Sequence, residues 1–402
     1  MDKNDLALQA AQAVDVDELV GLTQALVRIP SYYPGPGEQP VVDFLEPYLR
    51  QQGFQTTVQE VAPGRPNLIA DLGQGTGGLI LEGHSDVVTH GNPEQWTVPP
   101  YEAQILDGKI YGRGACDMKG GLAAAICAAV AVQKVLGQPR KTLRLCIPCD
   151  EEGLMIGIKA FIRAGYAEGF AGAIICEPEE NQVCLWQKGA MRVWVRFQGK
   201  MAHGAMPYAG ANPIPSAARF VAALGGLQAA LQSESQHEYL GLPWLTPTVF
   251  EAGAGEGQFN VIPDRVRVGL DIRTNPGQDH RALEARLRQV LEESLGTGVS
   301  ATLEVFEDRP ASETPRDAAL VPAVEQGLRL LQMPVRYGGV PGATDGTFLW
   351  AWAGLPVVTI GPGNRTVPHQ VDEYIEIEEL IAAARLYAAV AVLMLQNGLR
   401  AA

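Results

Sequence analysis

Four short apolar segments, each followed within about ten residues by polar residues able to bind metal or move protons, constrain the fold of this 402-residue chain most. The predicted strands, with the polar residues after them, are 79–81 with His84 and Asp86, 142–147 with Glu151 and Glu152, 173–175 with Glu177, and 357–360 with His369. Predicted helices separate several of these strands, which favours an α/β fold with a mostly parallel sheet. Ligands bind such sheets beyond the carboxyl ends of the strands. We therefore expect these side chains to share one site.

A glycine-rich loop adds another carboxylate. Residues 111–121 read Tyr-Gly-Arg-Gly-Ala-Cys-Asp-Met-Lys-Gly-Gly, and the apolar residues 122–136 after them predict a buried helix. The glycines allow tight turns and close approach to a bound group. Asp117 alone could equally cap the helix. The histidines and carboxylates predicted elsewhere in the chain favour a functional role for Asp117.

Carboxylates crowded together repel each other and raise each other's pKa. Divalent cations remove that problem, and imidazole with carboxylate ligands suits zinc, with cobalt or manganese as substitutes. Two metals roughly 3.5–4 Å apart can share a bridging carboxylate and a water whose pKa falls to about 7. A further carboxylate, not bound to metal, can then take the proton of that water.

Five sequence motifs together resemble the di-zinc aminoacylase and carboxypeptidase family, which includes acetylornithine deacetylase, succinyl-diaminopimelate desuccinylase and glutamate carboxypeptidase. The resemblance runs over nearly the whole chain and keeps the order of the motifs. These motifs are His84-Ser85-Asp86, Gly112-Arg113-Gly114-x-x-Asp117-Met118-Lys119-Gly120, Glu151-Glu152-Gly153, Glu177-Pro178 and His369-x-x-Asp372-Glu373.

This resemblance implies two zinc ions per chain, with Asp117 as the bridging ligand. Glu152 and His369 are the implied ligands of one ion, and His84 and Glu177 those of the other. Glu177 favours the acylase and carboxypeptidase side of the family, because its aminopeptidase members usually have Asp there.

The resemblance also implies catalytic roles for two carboxylates. Glu151 corresponds to the general base that activates the water and then protonates the leaving amine. Asp86 corresponds to a carboxylate that orients His84, as most metal-bound histidines require. Family members often have a cis peptide bond after the bridging Asp, here Asp117–Met118.

The middle of the chain predicts an inserted α+β domain at 189–306, between the two parts of the catalytic domain at 1–188 and 307–402. Strands at 192–199 and 265–273 and helices at 212–231 and 283–296 indicate a sheet with two helices on one face. In the family the matching insert is a lid that also makes the contact of a homodimer.

Three polar residues of this insert match family positions near the substrate. His203 corresponds to a histidine that stabilises the oxyanion, often in the active site of the partner subunit, although a plain surface role is the alternative. Asn260 and Arg273 correspond to residues that hold the substrate. An arginine fork suits a carboxylate.

Composition excludes several other classes of protein. The net charge of −14 argues against nucleic acid or an anionic membrane as partner. We expect no membrane-spanning segment, because no apolar run looks long enough and sufficiently free of charge. The first residues lack the pattern of a signal peptide. All six cysteines lie between Cys116 and Cys184, and we interpret Cys146 and Cys149 as buried thiols, so we expect a cytoplasmic protein without disulfides.

The predicted activity is therefore metal-dependent hydrolysis of a linear amide in an N-acyl amino acid, as in deacetylases and desuccinylases. A dipeptidase or carboxypeptidase with the same metal site is the alternative among enzymes. A non-catalytic binding relative is the remote alternative, although neither a ligand nor the base is lost. The sequence leaves the acyl group and the amino acid open.

Overall fold

The fold comes from a computed structural model that describes residues 2–253 and 257–396. Its helices are α1 (Lys3–Gln12), α2 (Val16–Val27), α3 (Gln39–Gln51), α4 (Gly120–Leu136), α5 (Ile156–Arg163), α6 (Ile214–Glu234), α7 (His280–Ser294), α8 (Leu320–Leu330), α9 (Asp345–Ala353) and α10 (Ile377–Gln396). Its strands are β1 (Gln55–Ala62), β2 (Arg65–Leu72), β3 (Gly78–Glu82), β4 (Gln104–Leu106), β5 (Lys109–Tyr111), β6 (Leu143–Ile147), β7 (Phe170–Ile175), β8 (Val183–Gln187), β9 (Gly189–Gln198), β10 (Ala202–His203), β11 (Trp244–Ala252), β12 (Val261–Ile262), β13 (Arg265–Thr274), β14 (Ser300–Arg309), β15 (Ser312–Glu313), β16 (Tyr337–Val340), β17 (Val357–Thr359) and β18 (Tyr374–Glu376).

The chain divides into two compact units. The larger unit comprises the described residues up to 185 together with 313–340 and those from 344 onward, and the smaller unit comprises 186–312 with 341–343. The smaller unit thus interrupts the larger one in sequence, with boundaries a few residues from the predicted 188/189 and 306/307. Its role as a lid and dimer contact stays a prediction.

The larger unit is built on a mixed sheet in the order β1-β2-β6-β3-β7-β17-β8-β15, with β16 beside β8. The pairs β6–β3, β3–β7 and β7–β17 are parallel. The carboxyl ends of these four strands therefore lie at one edge, and the loop after each strand contains a predicted site residue. The predicted α/β fold with a mostly parallel sheet is confirmed in its central strands.

Helix α4 begins directly after the Asp117 loop and is the buried helix that the apolar run predicts. It packs against α10, α1 and α2, and the residues from Gly120 to Val132 are all buried.

The expectation that no segment is apolar and long enough to span a membrane is wrong, since the helical stretches Ala115–Leu136 and Ile214–Glu234 both meet that criterion. An 18-residue stretch of the first is 94% buried inside the protein, which explains its composition without a membrane.

Two features at the N-terminal end were not predicted. Helix α1 precedes α2 and α3, which apolar residues at helical spacing over 19–27 and 41–49 do predict, and the antiparallel hairpin of β1 and β2 joins the sheet through β6. The spacing of Asp15 and Glu18 predicts an N-cap at the start of α2, and the Asp15 carboxylate accepts a hydrogen bond from the Glu18 amide at 3.1 Å.

The smaller unit is an antiparallel sheet in the order β11-β13-β9-β14. Alternate residues of β9 and β13 point to one face, where α6 and α7 bury them in a single apolar core. The opposite face carries cross-strand ion pairs, for example Arg196 with Glu304 and Arg267 with Glu251. A sheet with two helices on one face is what the sequence predicts for this segment.

Gly121 provides a test of how tightly α4 packs against the strand that leads to Glu177. A Cβ atom at this position would lie 2.0 Å from the main-chain oxygen of Cys176, at the end of β7. Gly121→Ala should therefore lower the free energy of unfolding by about 1–3 kcal/mol, measured by chemical denaturation. Gly21→Ala is the control, because nothing lies within 4 Å of that Cβ in α2, and it should be neutral or gain up to about 1 kcal/mol. Equal stability of the two variants would contradict the packing described.

Candidate metal centre

The predicted metal ligands of the larger unit converge at the edge formed by β3, β6 and β7. Ligand atoms of His84, Asp117 and Glu152 lie within 4.8 Å of one another, and so do those of His84, Glu151 and Glu177. Asp86 contacts members of both groups, and His369 contacts Asp117 and Glu152 of the first group. The structure thus brings together the seven residues that the sequence assigns to this site in the larger unit.

Asp117 presents its two carboxylate oxygens to different partners. Oδ1 lies 3.1 Å from Nε2 of His84, and Oδ2 lies 3.3 Å from Nε2 of His369. Beyond Asp117, His369 Nε2 is 2.9 Å from Glu152 Oε1, and His84 Nε2 is 3.6 Å from Glu177 Oε1. These are the two groups of ligands that the resemblance implies, one on each side of Asp117.

His84 is fully buried and held in one tautomer. Its Nδ1 lies 2.9 Å from the main-chain oxygen of Asp86, which can only accept a hydrogen bond. In the neutral ring Nδ1 therefore carries the proton, which leaves Nε2, the nitrogen beside Asp117 and Glu177, as the atom able to bind a metal ion. The Asp86 carboxylate is further away, at 3.5 Å from Nδ1. The carbonyl of Asp86 thus orients His84 more closely than the carboxylate that the resemblance implies for this role.

The Asp86 carboxylate instead holds the backbone of the turn after β6. Its two oxygens accept the amide hydrogens of Glu151 and Glu152, each at 3.1 Å. Asp86 therefore fixes the direction of both glutamates through their main chain, an arrangement that motif spacing does not reveal.

The loop that carries Asp117 is held from the C-terminal part of the chain by a carboxylate whose role the sequence analysis did not predict. Glu373 is fully buried and pairs with Arg113, while its Oε1 accepts the amides of Cys116 at 2.9 Å and Asp117 at 3.0 Å. The peptide bond Asp117–Met118 is cis, as expected. Glu373 belongs to the same motif as His369, so one short segment supplies both a ligand and the support of another.

Electrostatics at this edge are those of a site for cations. Burial and the neighbouring Asp117 raise the pKa of both Glu177 and Glu152 above their ordinary value. Hydrogen bonds to Asp117 and Glu152 raise the pKa of His369 to about 10. The imidazoles are basic because carboxylates surround them, and divalent cations bound between these groups would relieve the same excess of negative charge.

The donor set fits a pair of zinc ions. It supplies two imidazole nitrogens and three carboxylates, and zinc accepts both kinds of ligand. The division of these donors into two groups around Asp117 suits two ions rather than one. Each ligand position that the resemblance requires has a histidine or a carboxylate residue.

The predicted substrate residues lie in the smaller unit. His203 on β10 and Asn260 next to β12 are exposed neighbours, since β10 pairs with β12 and the Gly204 amide donates to the Asn260 carbonyl at 2.7 Å. Arg273 lies elsewhere, on β13, where its Nε and Nη2 fork onto Asp271 at 2.7 and 3.1 Å. The structure therefore brings His203 and Asn260 together but places Arg273 in a separate ion pair.

Comparisons with known proteins agree with this architecture. The sequence profile of peptidase family M20/M25/M40 matches residues 80–392. The chain is 27% identical over 359 residues to a probable succinyl-diaminopimelate desuccinylase of Staphylococcus aureus (strain MSSA476), covering 84% of this chain and 88% of that protein. It is 28% identical over 386 residues to a succinyl-diaminopimelate desuccinylase of Bradyrhizobium sp. (strain ORS 278), covering 91% and 96%.

The fold is also similar to the crystal structure of an M20 family metallo-carboxypeptidase, Sso-CP2, from Sulfolobus solfataricus. The TM-score is 0.78 at 20% sequence identity, over 94% of this chain and 99% of that chain. Because the profile spans the central sheet, the ligand segments and the insert, the chain belongs to peptidase family M20/M25/M40.

Proposed function

We propose that the protein hydrolyses the amide bond of an N-acyl amino acid, as deacetylases and desuccinylases do, with two zinc ions and with Glu151 as general base. The observation that carries this proposal is the placement of Asp117 between two ligand groups, one oxygen facing each histidine. The names of the similar desuccinylases support the acyl amino acid as substrate class.

Each polar group of the site has a proposed task. His84, Glu177, Asp117, Glu152 and His369 hold the ions. When bound, the zinc pair lowers the pKa of water to about 7 and polarises the substrate carbonyl. Glu151, beside His84 and Glu177, accepts the proton of the attacking water and returns it to the leaving amine. Cobalt or manganese are possible substitutes for zinc.

The smaller unit is proposed to contribute to substrate binding. His203 stabilises the oxyanion, and Asn260 and Arg273 hold the remainder of the substrate. The exposed position of His203 supports its assignment. Arg273 would have to exchange Asp271 for the substrate carboxylate, because Asp271 accepts both arms of its guanidinium fork.

A carboxypeptidase or dipeptidase is the second candidate function, and the similarity of the fold to a metallo-carboxypeptidase favours it. The same ligands and the same base would serve it, so the distinction depends on the substrate alone. A non-catalytic role is disfavoured because every ligand position and Glu151 are filled.

We also propose that the protein is a homodimer through the smaller unit. Small residues at helical spacing, Ala218, Ala222, Gly225 and Ala229, lie exposed on the face of α6 turned away from its own sheet. Such a face lets a second helix approach closely. It also accounts for the apolar composition of α6, only 33% of which is buried inside this chain.

A cytoplasmic location is proposed as well, and fractionation of the cells that make the protein would test it. All six cysteines are buried free thiols. Proteins of reducing compartments keep their thiols in this form.

Two carboxylate variants should separate metal binding from proton transfer. Asp117→Ala should lose more bound zinc than His84→Ala or His369→Ala, because it removes a ligand from both groups. Glu151→Gln should retain the zinc and the fold but lower kcat by about 10²–10⁴-fold, the usual contribution of acid–base catalysis. Elemental analysis and steady-state kinetics on the same samples measure both effects. Full zinc content in Asp117→Ala, or normal turnover by metal-loaded Glu151→Gln, would contradict the assigned roles.

The choice of substrate should depend on a free carboxylate next to the scissile amide. Among N-acetyl and N-succinyl amino acids and dipeptides, the α-amide of the best substrate should lose at least about tenfold in kcat/KM, because an unmatched charge costs about 1–3 kcal/mol. Arg273→Ala should no longer distinguish acid from amide. Arg267→Ala is the control, since Arg267 lies on the same strand and also pairs with a carboxylate, directing Nε and Nη2 to one oxygen of Glu251. Equal hydrolysis of acid and amide by the unchanged protein would contradict the proposed recognition of the free carboxylate of the substrate.

The oligomeric state should depend on the small-residue face of α6. Ala222→Arg places a long charged side chain on that face and should convert the protein to a monomer, measured by light scattering during gel filtration. Ala285→Arg makes the same change on the exposed side of α7 and should leave the dimer intact. A monomeric unchanged protein, or a dimer in both variants, would contradict the proposed contact.

A further inference from the structure

A buried cluster of charged side chains beside the metal centre has no part in the proposed chemistry. It consists of Glu38, Arg65 and Asp150, which are 0, 7 and 6% exposed. The Arg65 guanidinium directs Nε and Nη2 to the carboxylate of Glu38 and Nη1 to Asp150 Oδ1 at 2.7 Å. The ring of Tyr33 covers the same guanidinium, with 4.0 Å between its centroid and Cζ. One arginine thus joins two carboxylates from different segments of the larger unit.

Asp150 is the centre of the turn that leaves β6. Its backbone has a φ of 63°, a left-handed conformation that non-glycine residues adopt at a cost. Its Oδ2 accepts the amides of Leu154 at 2.9 Å and Ile156 at 3.3 Å, and its own amide donates to Glu38 Oε1 at 3.2 Å. Its carbonyl accepts the amide of Met155 at 2.7 Å. The turn is therefore organised around one residue whose side chain Arg65 holds.

The two residues directly after Asp150 are the proposed base and a proposed ligand. The amides of Glu151 and Glu152 are tied to Asp86, as described above. A rotation of the backbone at Asp150 would change the direction of both glutamates and strain these hydrogen bonds. The turn is thus fixed at two points, through Asp86 at the glutamates themselves and through Arg65 at the residue before them.

We propose that Arg65 is a positioning residue of the metal centre, acting through Asp150 to aim Glu151 and Glu152. Lysine cannot replace it in this task, because an ammonium lacks the planar fork that binds Glu38 and Asp150 together. The inference depends on the proposed function only where hydrolysis is the measurement, since the geometry of the ligand Glu152 can be followed by metal binding alone.

The same pair of strands contains a matched control. Asp71 and Arg144 lie opposite each other in β2 and β6, near the end of β6 remote from the turn. Arg144 directs Nε and Nη2 to Asp71 at 2.7 and 2.5 Å and Nη1 to the carbonyl of Tyr166. Arg144 therefore repeats the hydrogen-bonding pattern of Arg65 without contact to any proposed ligand or to the base.

The test compares Arg65→Lys with Arg144→Lys in the full chain loaded with cobalt(II). Both variants should lose stability in chemical denaturation. Arg65→Lys should also change the visible absorption spectrum of the bound cobalt, weaken cobalt binding at least tenfold and lower kcat more than it changes KM. Arg144→Lys should keep the spectrum and the cobalt affinity within about twofold of the unchanged protein.

A second variant keeps the test decisive if Arg65→Lys does not fold. Asp150→Asn preserves the shape of the side chain but loses the charge that Arg65 binds, and it should give the same change in the cobalt spectrum. If both variants fold, the double variant should bind cobalt no more weakly than the single variant with the larger loss of affinity. The effects of residues that act through one another are not additive. An unchanged cobalt spectrum in the folded variants, or fully additive effects, would overturn the proposal. Because the spectrum needs no substrate, this outcome is distinct from a failure to find the proposed amide hydrolysis.

Discussion

Repulsion among buried carboxylates at one edge of the sheet is the constraint on which the rest of the site depends. Glu177, Glu152 and Asp117 come from three separate segments of the larger unit, and none of them could remain ionised there without opposite charge close by. The imidazoles of His84 and His369 offset part of this charge, as the raised pKa of His369 shows. The parallel pairing of the central strands, which places these groups side by side, is therefore compatible with folding only if cations or protons accompany them.

Supporting hydrogen bonds fix the direction in which each of these closely spaced side chains points. Glu373 holds the amides that lead into Asp117, Asp86 holds those of Glu151 and Glu152, and the Asp86 carbonyl selects the tautomer of His84. Each support acts on the main chain or on one nitrogen, and leaves the metal-facing atoms free to converge. The chemistry of the site thus depends as much on amide hydrogen bonds as on the ligands themselves.

The sequence predicts the central strands and the ligands well, because buried parallel strands are short continuous apolar runs and the ligands lie in the loops after these runs or in the glycine-rich loop before α4. It does not reveal the β1–β2 hairpin, whose first strand is largely polar, or the arrangement of Glu38, Arg65 and Asp150, whose partners are far apart along the chain. The composition of α4 is equally that of a core helix and of a membrane span, and only its burial decides between them. Arg273 illustrates another limit, since motif position could not show that Asp271 already occupies its fork.

The position of β17 in the sheet has a consequence for the order in which the chain can fold. This strand lies between β7 and β8, yet it is synthesised only after the whole of the smaller unit and most of the larger one. His369 and Glu373 follow later still. A chain emerging from the ribosome therefore has the open edges of β7 and β8 and an incomplete cluster of acids until nearly its last helix has been made. The larger unit consequently completes its folding late, and its unfinished sheet edges are the surfaces that chaperones would have to shield in the meantime.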